Sequence, residues 1–355
     1  MQNTITIPIY IGVLIATLGL STLGCTGTSS SDGVTDDPMA SSGGTANAAS
    51  SMPQTAEQMD SQASPSSDDA AAENNAAGNR GDAADIGEME QIITHGGLER
   101  TYTLYVPERY DAAQPTPIVF NFHGNGQFVS SYINSGDLRP LADQDGFILV
   151  YPQGASGSEG TPEWNSFVGE GNKSETDDFG FIETIVARLS ATYNVDPERI
   201  YAVGYSNGGF FAHALACFRS DLIAAVASVS GTMMENSIMN GQPNHPTAVI
   251  ILHGTADFTV PYNGGMPGFS SVADTIEFWV NYNQLMPNTS QPPVTENGRT
   301  FEHITYSGGT GGVTLEHYKV EGGDHVWFDM TFGGSTTAEV VWRFISAYDK
   351  NGVRD

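Results

Sequence analysis

One hexapeptide stands out for the chemistry its residue types permit. Gly204-Tyr205-Ser206-Asn207-Gly208-Gly209 contains the pattern Gly-x-Ser-x-Gly. In a chain with 41 glycines the pattern alone is weak. Its surroundings give it meaning, because an apolar run (Ile200 to Val203) precedes it and a helical stretch from Phe210 follows. A strand-to-helix turn this tight strains the serine backbone and leaves no room for side chains beside it. It lifts the Ser206 hydroxyl clear of the strand end. It also aims the Asn207 N–H, at the start of the helix, toward the same point. A serine hydroxyl is a poor nucleophile without a base, so acyl transfer here requires a histidine and an acid to orient it.

Behind such a turn the chain order is serine, acid, histidine. The acid is expected at a strand end, and Val249 to Asp257 supplies one: an apolar run, then His253-Gly254-Thr255-Ala256-Asp257. Asp221 and Asp274 compete, but both lie in or beside helical patterns and read as surface or capping groups. Beyond Asp257 only His303, His317 and His325 remain. The first two fall in alternating segments and read as solvent-facing strand residues. His325 lies in Glu321-Gly322-Gly323-Asp324-His325-Val326-Trp327, a glycine loop just after a strand. The expected catalytic set is therefore Ser206 as nucleophile, His325 as base and Asp257 as the acid that holds it. An oxyanion needs a second amide. Phe122-His123-Gly124-Asn125 ends an apolar run, so the Asn125 N–H is the expected partner of the Asn207 N–H. His123 and His253, each before a glycine at a strand end, read as structural. The adjacent acids Asp177 and Asp178 read as a helix cap with a dipole partner.

The elements that must position these groups alternate along the chain. Arg100 to Val106 has period two and reads as an early antiparallel strand. Unbroken apolar runs at Pro117 to Phe122, Phe147 to Tyr151, Ile200 to Gly204, Ala224 to Val229 and Ala248 to Leu252 suit strands covered on both faces. Helical patterns fall at Asp178 to Tyr193, Phe210 to Phe218, Ser271 to Leu285 and Thr337 to Tyr348. The expected fold class is α/β: a mostly parallel central sheet with helices on both faces.

Composition divides the chain. Residues 26–88 are mostly Ser, Ala, Gly, Asn, Asp and Gln, too poor in large apolar side chains to offset chain entropy by burial. They are expected to form a disordered linker between an export signal (1–25) and a globular domain (89–355). Ile5 to Leu20 is apolar but short for a membrane span, and Leu23-Gly24-Cys25 follows it. This resembles a bacterial lipoprotein cleavage site with Cys25 as the lipidated residue, although no Lys or Arg precedes the run. A lipoprotein on the outer membrane or cell surface and a freely secreted protein both fit, with a membrane tether through Cys25 in the first case. Cys217 is then alone, in an apolar stretch, and reads as a buried inert thiol. The formal charge is −28, and residues 91–355 still carry 29 acids against 12 bases. Such a surface repels nucleic acid and anionic membrane. No His-Glu-x-x-His, paired cysteine ligands or phosphate-loop lysine motif occurs, so neither metal nor cofactor is expected.

With these residues in view, the chain resembles the esterase family that includes polyhydroxybutyrate depolymerase-like proteins, feruloyl esterases and acetylxylan esterases (carbohydrate esterase family 1, of the α/β-hydrolase superfamily). The likeness runs from about Leu98 to Tyr348. It is carried by Asn194-Val195-Asp196-Pro197-Glu198-Arg199-Ile200-Tyr201 leading into the Ser206 turn, by Asp177 to Phe181, by His253 to Asp257, and by Gly322 to Trp327. The resemblance implies hydrolysis of carboxylic esters, with the family's nucleophile, acid and base falling on Ser206, Asp257 and His325. It implies as substrates feruloyl and acetyl esters of polysaccharide, or hydroxyalkanoate esters. Cysteines that many members carry near the tryptophan matching Trp164 are missing from Trp164-Asn165-Ser166-Phe167. Trp164, Phe167, Tyr205, Phe258, Tyr262 and Trp327 are candidates to line the substrate pocket, and each also fits ordinary core or rim. The expected protein is a monomeric, cofactor-free serine esterase. A binding protein without catalysis on the same scaffold, and a serine peptidase of the same fold, stand as alternatives.

Overall fold

A computed structural model describes residues 85–157, 160–167 and 176–355. The expected export signal, Cys25 and nearly all of the expected linker lie outside the described residues. Among the described residues, eleven strands form one sheet, in the order β1-β2-β4-β3-β7-β8-β9-β13-β12-β10, with β11 also paired to β12. The strands are β1 (Gly87–His95), β2 (Leu98–Val106), β3 (Thr116–Phe122), β4 (Ile148–Pro152), β7 (Val195–Tyr205), β8 (Ala225–Val229), β9 (Ala248–Gly254), β10 (Met286–Ser290), β11 (Val294–Glu296), β12 (Arg299–Ser307) and β13 (Leu315–Val320). A two-residue hairpin, β5 (Ala155–Ser156) with β6 (Pro162–Glu163), lies off the sheet. The central strands β4, β3, β7, β8, β9 and β13 are parallel, while β1, β2, β10, β11 and β12 pair antiparallel at the two sides.

The helices explain why the central runs do not alternate. They are α1 (Val129–Tyr132), α2 (Arg139–Asp145), α3 (Asp178–Thr192), α4 (Asn207–Phe218), α5 (Glu235–Asn240), α6 (Val272–Asn283) and α7 (Thr337–Ile345). Successive strand side chains point to opposite faces, so Phe120, Phe122 and Ala202 join one core with α3, α4 and α6. Val119, Tyr201 and Val203 join another with α2 and α7. Every residue of β3, β4, β8 and β9 is buried. Cation–π contact with Arg100 and packing on β2 hold the first turns of α3. Capping boxes open α6 (Ser271 with Asp274) and α7 (Thr336 with Glu339), each cap contributing about 1 kcal/mol.

Several elements differ from expectation. Strand β7 starts five residues before Ile200, pairing at Val195 with Thr116. Helix α7 stops at Ile345, because Tyr348–Asp349 turns back to pair antiparallel with Gly352–Val353. Strands β1 and β10–β11 carry no strong apolar period, and prolines obscure the latter. His317, expected to face solvent, is 1% exposed. Its strand β13 lies inside the sheet between β9 and β12, and the Tyr262 ring packs against the His317 side chain. His317 Nδ1–H donates to the Ile251 carbonyl at 3.1 Å, and Nε2 accepts from the Tyr262 hydroxyl at 2.8 Å. His303 is half-buried beside Glu316.

Candidate active site

Strand β7 and helix α4 meet at Ser206 with no intervening loop. Ser206 has φ 53° and ψ −120°, a conformation that L residues rarely adopt. Two hydrogen bonds hold it there: its N–H donates to Val229 O at 2.9 Å, and its carbonyl accepts from Gly209 N at 2.8 Å. The glycines around it are needed for close approach. A Cβ on Gly204 would strike the Gly208 carbonyl, and one on Gly208 would strike the Phe122 carbonyl. Backbone thus packs on backbone where β3, β7 and α4 converge.

The acid and the histidine arrive from β9 and β13, two and three strands along the parallel sheet from β7. Strand β9 ends at Gly254, and the turn after it carries Asp257. Strand β13 ends at Val320, and the loop after it carries His325. These loops touch through glycine, since a Cβ on Gly254 would strike the Gly323 carbonyl. Ala256 N donates to Gly323 O at 2.9 Å, and Gly322 N donates to the Thr255 hydroxyl at 2.8 Å. The Tyr205 hydroxyl donates to the His325 carbonyl, and the Ser230 hydroxyl to the Val326 carbonyl. His325 is therefore held by the strand ends on either side of it. Its Nδ1 lies 2.7 Å from Asp257 Oδ2, and its Nε2 lies 2.8 Å from Ser206 Oγ.

Asp257 is 3% exposed. Burial alone would favour its neutral form, but hydrogen bonds from His253, His325 and the Val260 amide outweigh that and hold the carboxyl well below the usual carboxylate range. Oδ1 accepts from the amides of Thr259 and Val260 at 2.9 and 2.8 Å. An ionised carboxylate at Nδ1 places the imidazole proton there and leaves Nε2 free to accept the proton of Ser206.

Asn125 and Asn207 lie beside Ser206 on the wall of one cavity. Among the described residues, neither backbone N–H has an acceptor. The Asn125 loop is anchored on both sides: Gly124 N donates to Gln127 Oε1 at 2.8 Å, and Gly126 N donates to Pro162 O at 2.7 Å. The Asn207 side chain straps the next loop, accepting from Trp164 N at 2.6 Å and donating to Trp164 O at 3.2 Å. Trp164 Nε1 in turn donates to the His123 carbonyl. His123 is structural: Nδ1–H donates to Gly124 O, Nε2 accepts from Gly154 N, and burial lowers its pKa to about 4.

The cavity measures about 140 Å³. Trp164, Phe167, Phe210, Met234, Val260 and Phe269 form its apolar walls. Trp164 and Phe167 were expected here, whereas Phe210, Met234, Val260 and Phe269 carry no sequence signal beyond hydrophobicity. The other candidates lie elsewhere. Phe258 is 84% exposed, because Asp257 turns inward and its neighbour must turn out. Tyr205 packs on the opposite side, its ring 5.2 Å from that of His325. Trp327 packs edge-on against Tyr132, and Tyr262 is taken up by His317. Asp177 caps α3 as expected, accepting from Gly180 N. Asp178, in the first turn of α3, is fully buried and ion-paired with Arg100 at 2.6 Å. Cys217 is a buried free thiol whose pKa burial raises.

Comparison with known proteins points the same way. Residues 100–240 match the family model described as esterase PHB depolymerase. Feruloyl esterase C of Emericella nidulans is 26% identical over 253 residues, covering 70% of this chain and 84% of that protein. The chain resembles this family of esterases. A putative esterase, NocK, of Nocardia uniformis subsp. tsuyamanensis is 26% identical over 268 residues, covering 70% of this chain and 76% of its own. Among solved structures, the acetyl xylan esterase from Aspergillus awamori superposes with a TM-score of 0.54 at 15% identity, covering 73% of this chain and 99% of the other. The fold is that of the α/β-hydrolases.

Proposed function

We propose that this esterase-like protein is a serine carboxylic ester hydrolase that works through an acyl-enzyme. The observation that carries the proposal is the hydrogen-bonded line Ser206–His325–Asp257, beside two amides that have no acceptor among the described residues, on the wall of an apolar cavity. Ser206 Oγ bonds to the ester carbonyl carbon while its proton passes to His325 Nε2. The Asn125 and Asn207 amides hold the resulting oxyanion, and each such donor contributes about 3 kcal/mol to the transition state. The bond to the alcohol oxygen then breaks, and His325 returns its proton to the departing alcohol. Water attacks the acyl-enzyme by the same route, its proton goes to His325, and Ser206 leaves with that proton as the free acid is released.

Feruloyl or acetyl esters of polysaccharide and hydroxyalkanoate esters are the substrate classes that the relatives suggest. Export fits the apolar segment Ile5 to Leu20, and an acyl chain on Cys25 would tether the domain through its linker. Ser206→Ala is expected to abolish p-nitrophenyl acetate hydrolysis while leaving the circular dichroism spectrum and melting cooperativity intact. A fluorophosphonate should label the native protein at Ser206. Absence of that adduct would favour a binding protein on a hydrolase scaffold, and faster amide than ester turnover would favour a peptidase.

A further inference from the structure

The cavity touches Ser206, Asn125 and Asn207 but not His325. That asymmetry sorts the two halves of an ester. The departing alcohol takes its proton from His325 Nε2, so it must leave on the imidazole side. The carbonyl oxygen sits at the amides. What remains, the acyl chain, is directed into the cavity. We propose that this cavity is the acyl site and that it admits only short chains, up to about four carbons; the inference rests on the serine-esterase reading above.

Size sets the limit. By comparison with a cavity of about 150 Å³ that takes up benzene, a cavity of about 140 Å³ holds about six non-hydrogen atoms. Acetyl and butyryl groups meet that limit, with or without a hydroxyl. An octanoyl or a hydroxycinnamoyl group exceeds it roughly twofold. The walls are built to keep their positions. Phe210, Met234 and Val260 are buried and form a small core of their own, apart from the two cores on the sheet faces. Met234 and Phe269 sit on backbone segments bridged to each other. The Phe210 and Phe269 rings lie 5.0 Å apart. Trp164 stacks on Phe211 at 5.2 Å and is strapped by Asn207. Lengthening the acyl chain therefore requires side chains to move against close packing.

The test is kcat/KM for p-nitrophenyl acetate, butyrate and octanoate, with methyl butyrate compared against methyl ferulate, on the full chain. The expected profile peaks at acetate or butyrate, falls at least tenfold by octanoate, and favours methyl butyrate over methyl ferulate. Met234→Ala removes wall volume and should raise the octanoate-to-butyrate ratio about tenfold. Octanoate or ferulate turned over as well as butyrate by protein that fluorophosphonate labels at Ser206 overturns the short-chain limit and leaves the esterase reading standing. A chain-length profile unchanged by Met234→Ala, in a variant that melts cooperatively, overturns the assignment of this cavity as the acyl site. Failure to hydrolyse any of these esters, together with no label at Ser206, overturns both.

Discussion

His253 Nε2 lies 3.2 Å from Asp257 Oδ2, the same oxygen that faces His325. It also lies 2.9 Å from the Val260 carbonyl. Both neighbours are acceptors, so Nε2 carries the proton. Nδ1 is buried with no partner among the described residues, a group the fold leaves unsatisfied while the N–H faces the acid. His253 thus clamps the carboxylate from behind. His253→Leu should lower kcat/KM for p-nitrophenyl acetate about 10- to 100-fold, the loss of one hydrogen bond to a charged group. His253→Gln, which can restore a donor, should recover much of that loss. Asp257→Asn should cost on the order of 10⁴-fold by favouring the wrong imidazole tautomer. Wild-type kinetics in His253→Leu would assign His253 to loop packing alone.

The buried pair Arg100–Asp178 supports the cavity wall from a distance. Asp178 Oδ1 accepts from Arg100, and Oδ2 accepts from the Asn165 amide at 2.8 Å, next to Trp164. Burial raises the pKa of Asp178, and the guanidinium opposes that. Arg100→Met leaves a carboxyl buried without its cation and should lower unfolding free energy by about 3–5 kcal/mol. Urea denaturation measures this directly. Arg100→Met combined with Asp178→Leu should lose less than Arg100→Met alone, because no charge then remains buried.

Asn207 separates backbone from side-chain function. Asn207→Ala keeps the amide that faces the proposed oxyanion site but cuts both bonds to Trp164. The expected result is a rise in KM with kcat/KM down about 30-fold, since each of the two neutral hydrogen bonds contributes about 1 kcal/mol. Asn207→Asp should be worse than alanine, because a carboxylate cannot donate to the Trp164 carbonyl and places negative charge beside a developing oxyanion. Alanine and aspartate variants of equal activity would show that the strap has no bearing on catalysis.

Three buried imidazoles make stability depend on pH. Burial lowers His123 to about 4 and His213 and His317 to about 3. In the unfolded chain they bind protons below about 6.5. Unfolding therefore takes up protons between those values. Their stabilising effect is complete above about pH 6.5 and is lost as pH falls toward 4 and then 3. The urea midpoint should be lower at pH 5 than at pH 7.5. His213→Gln, which keeps an acceptor for Trp279 Nε1, should make the dependence shallower. A midpoint that holds steady or rises on acidification would contradict this account.

The sequence made some of this site legible and hid the rest for physical reasons. Strand-end positions are readable because apolar runs mark the central strands, and chain order then leaves few residues able to converge. Ser206, Asp257 and His325 accordingly appear beyond the ends of β7, β9 and β13, in one hydrogen-bonded line. Side-chain direction beyond a strand end is not readable. Phe258 and Tyr205 flank two of those residues, yet one faces solvent and the other packs behind the imidazole. His317 misleads because its strand alternates as if one face met solvent, although Tyr262 lies against that face. Met234 and Phe269 are ordinary hydrophobic residues until tertiary pairing brings them to the same wall. Arg100 and Asp178 are 78 residues apart, and nothing local announces their union.

The left-handed backbone at Ser206 sets the site against the durability of the molecule. A glycine would relax there without cost to its neighbours' hydrogen bonds, at a position where serine carries on the order of 1–3 kcal/mol of strain. Ser206→Gly should accordingly melt above the parent while hydrolysing nothing. The most rugged form of this protein is an inert one, and screens that reward heat tolerance without assaying turnover would select for its silence.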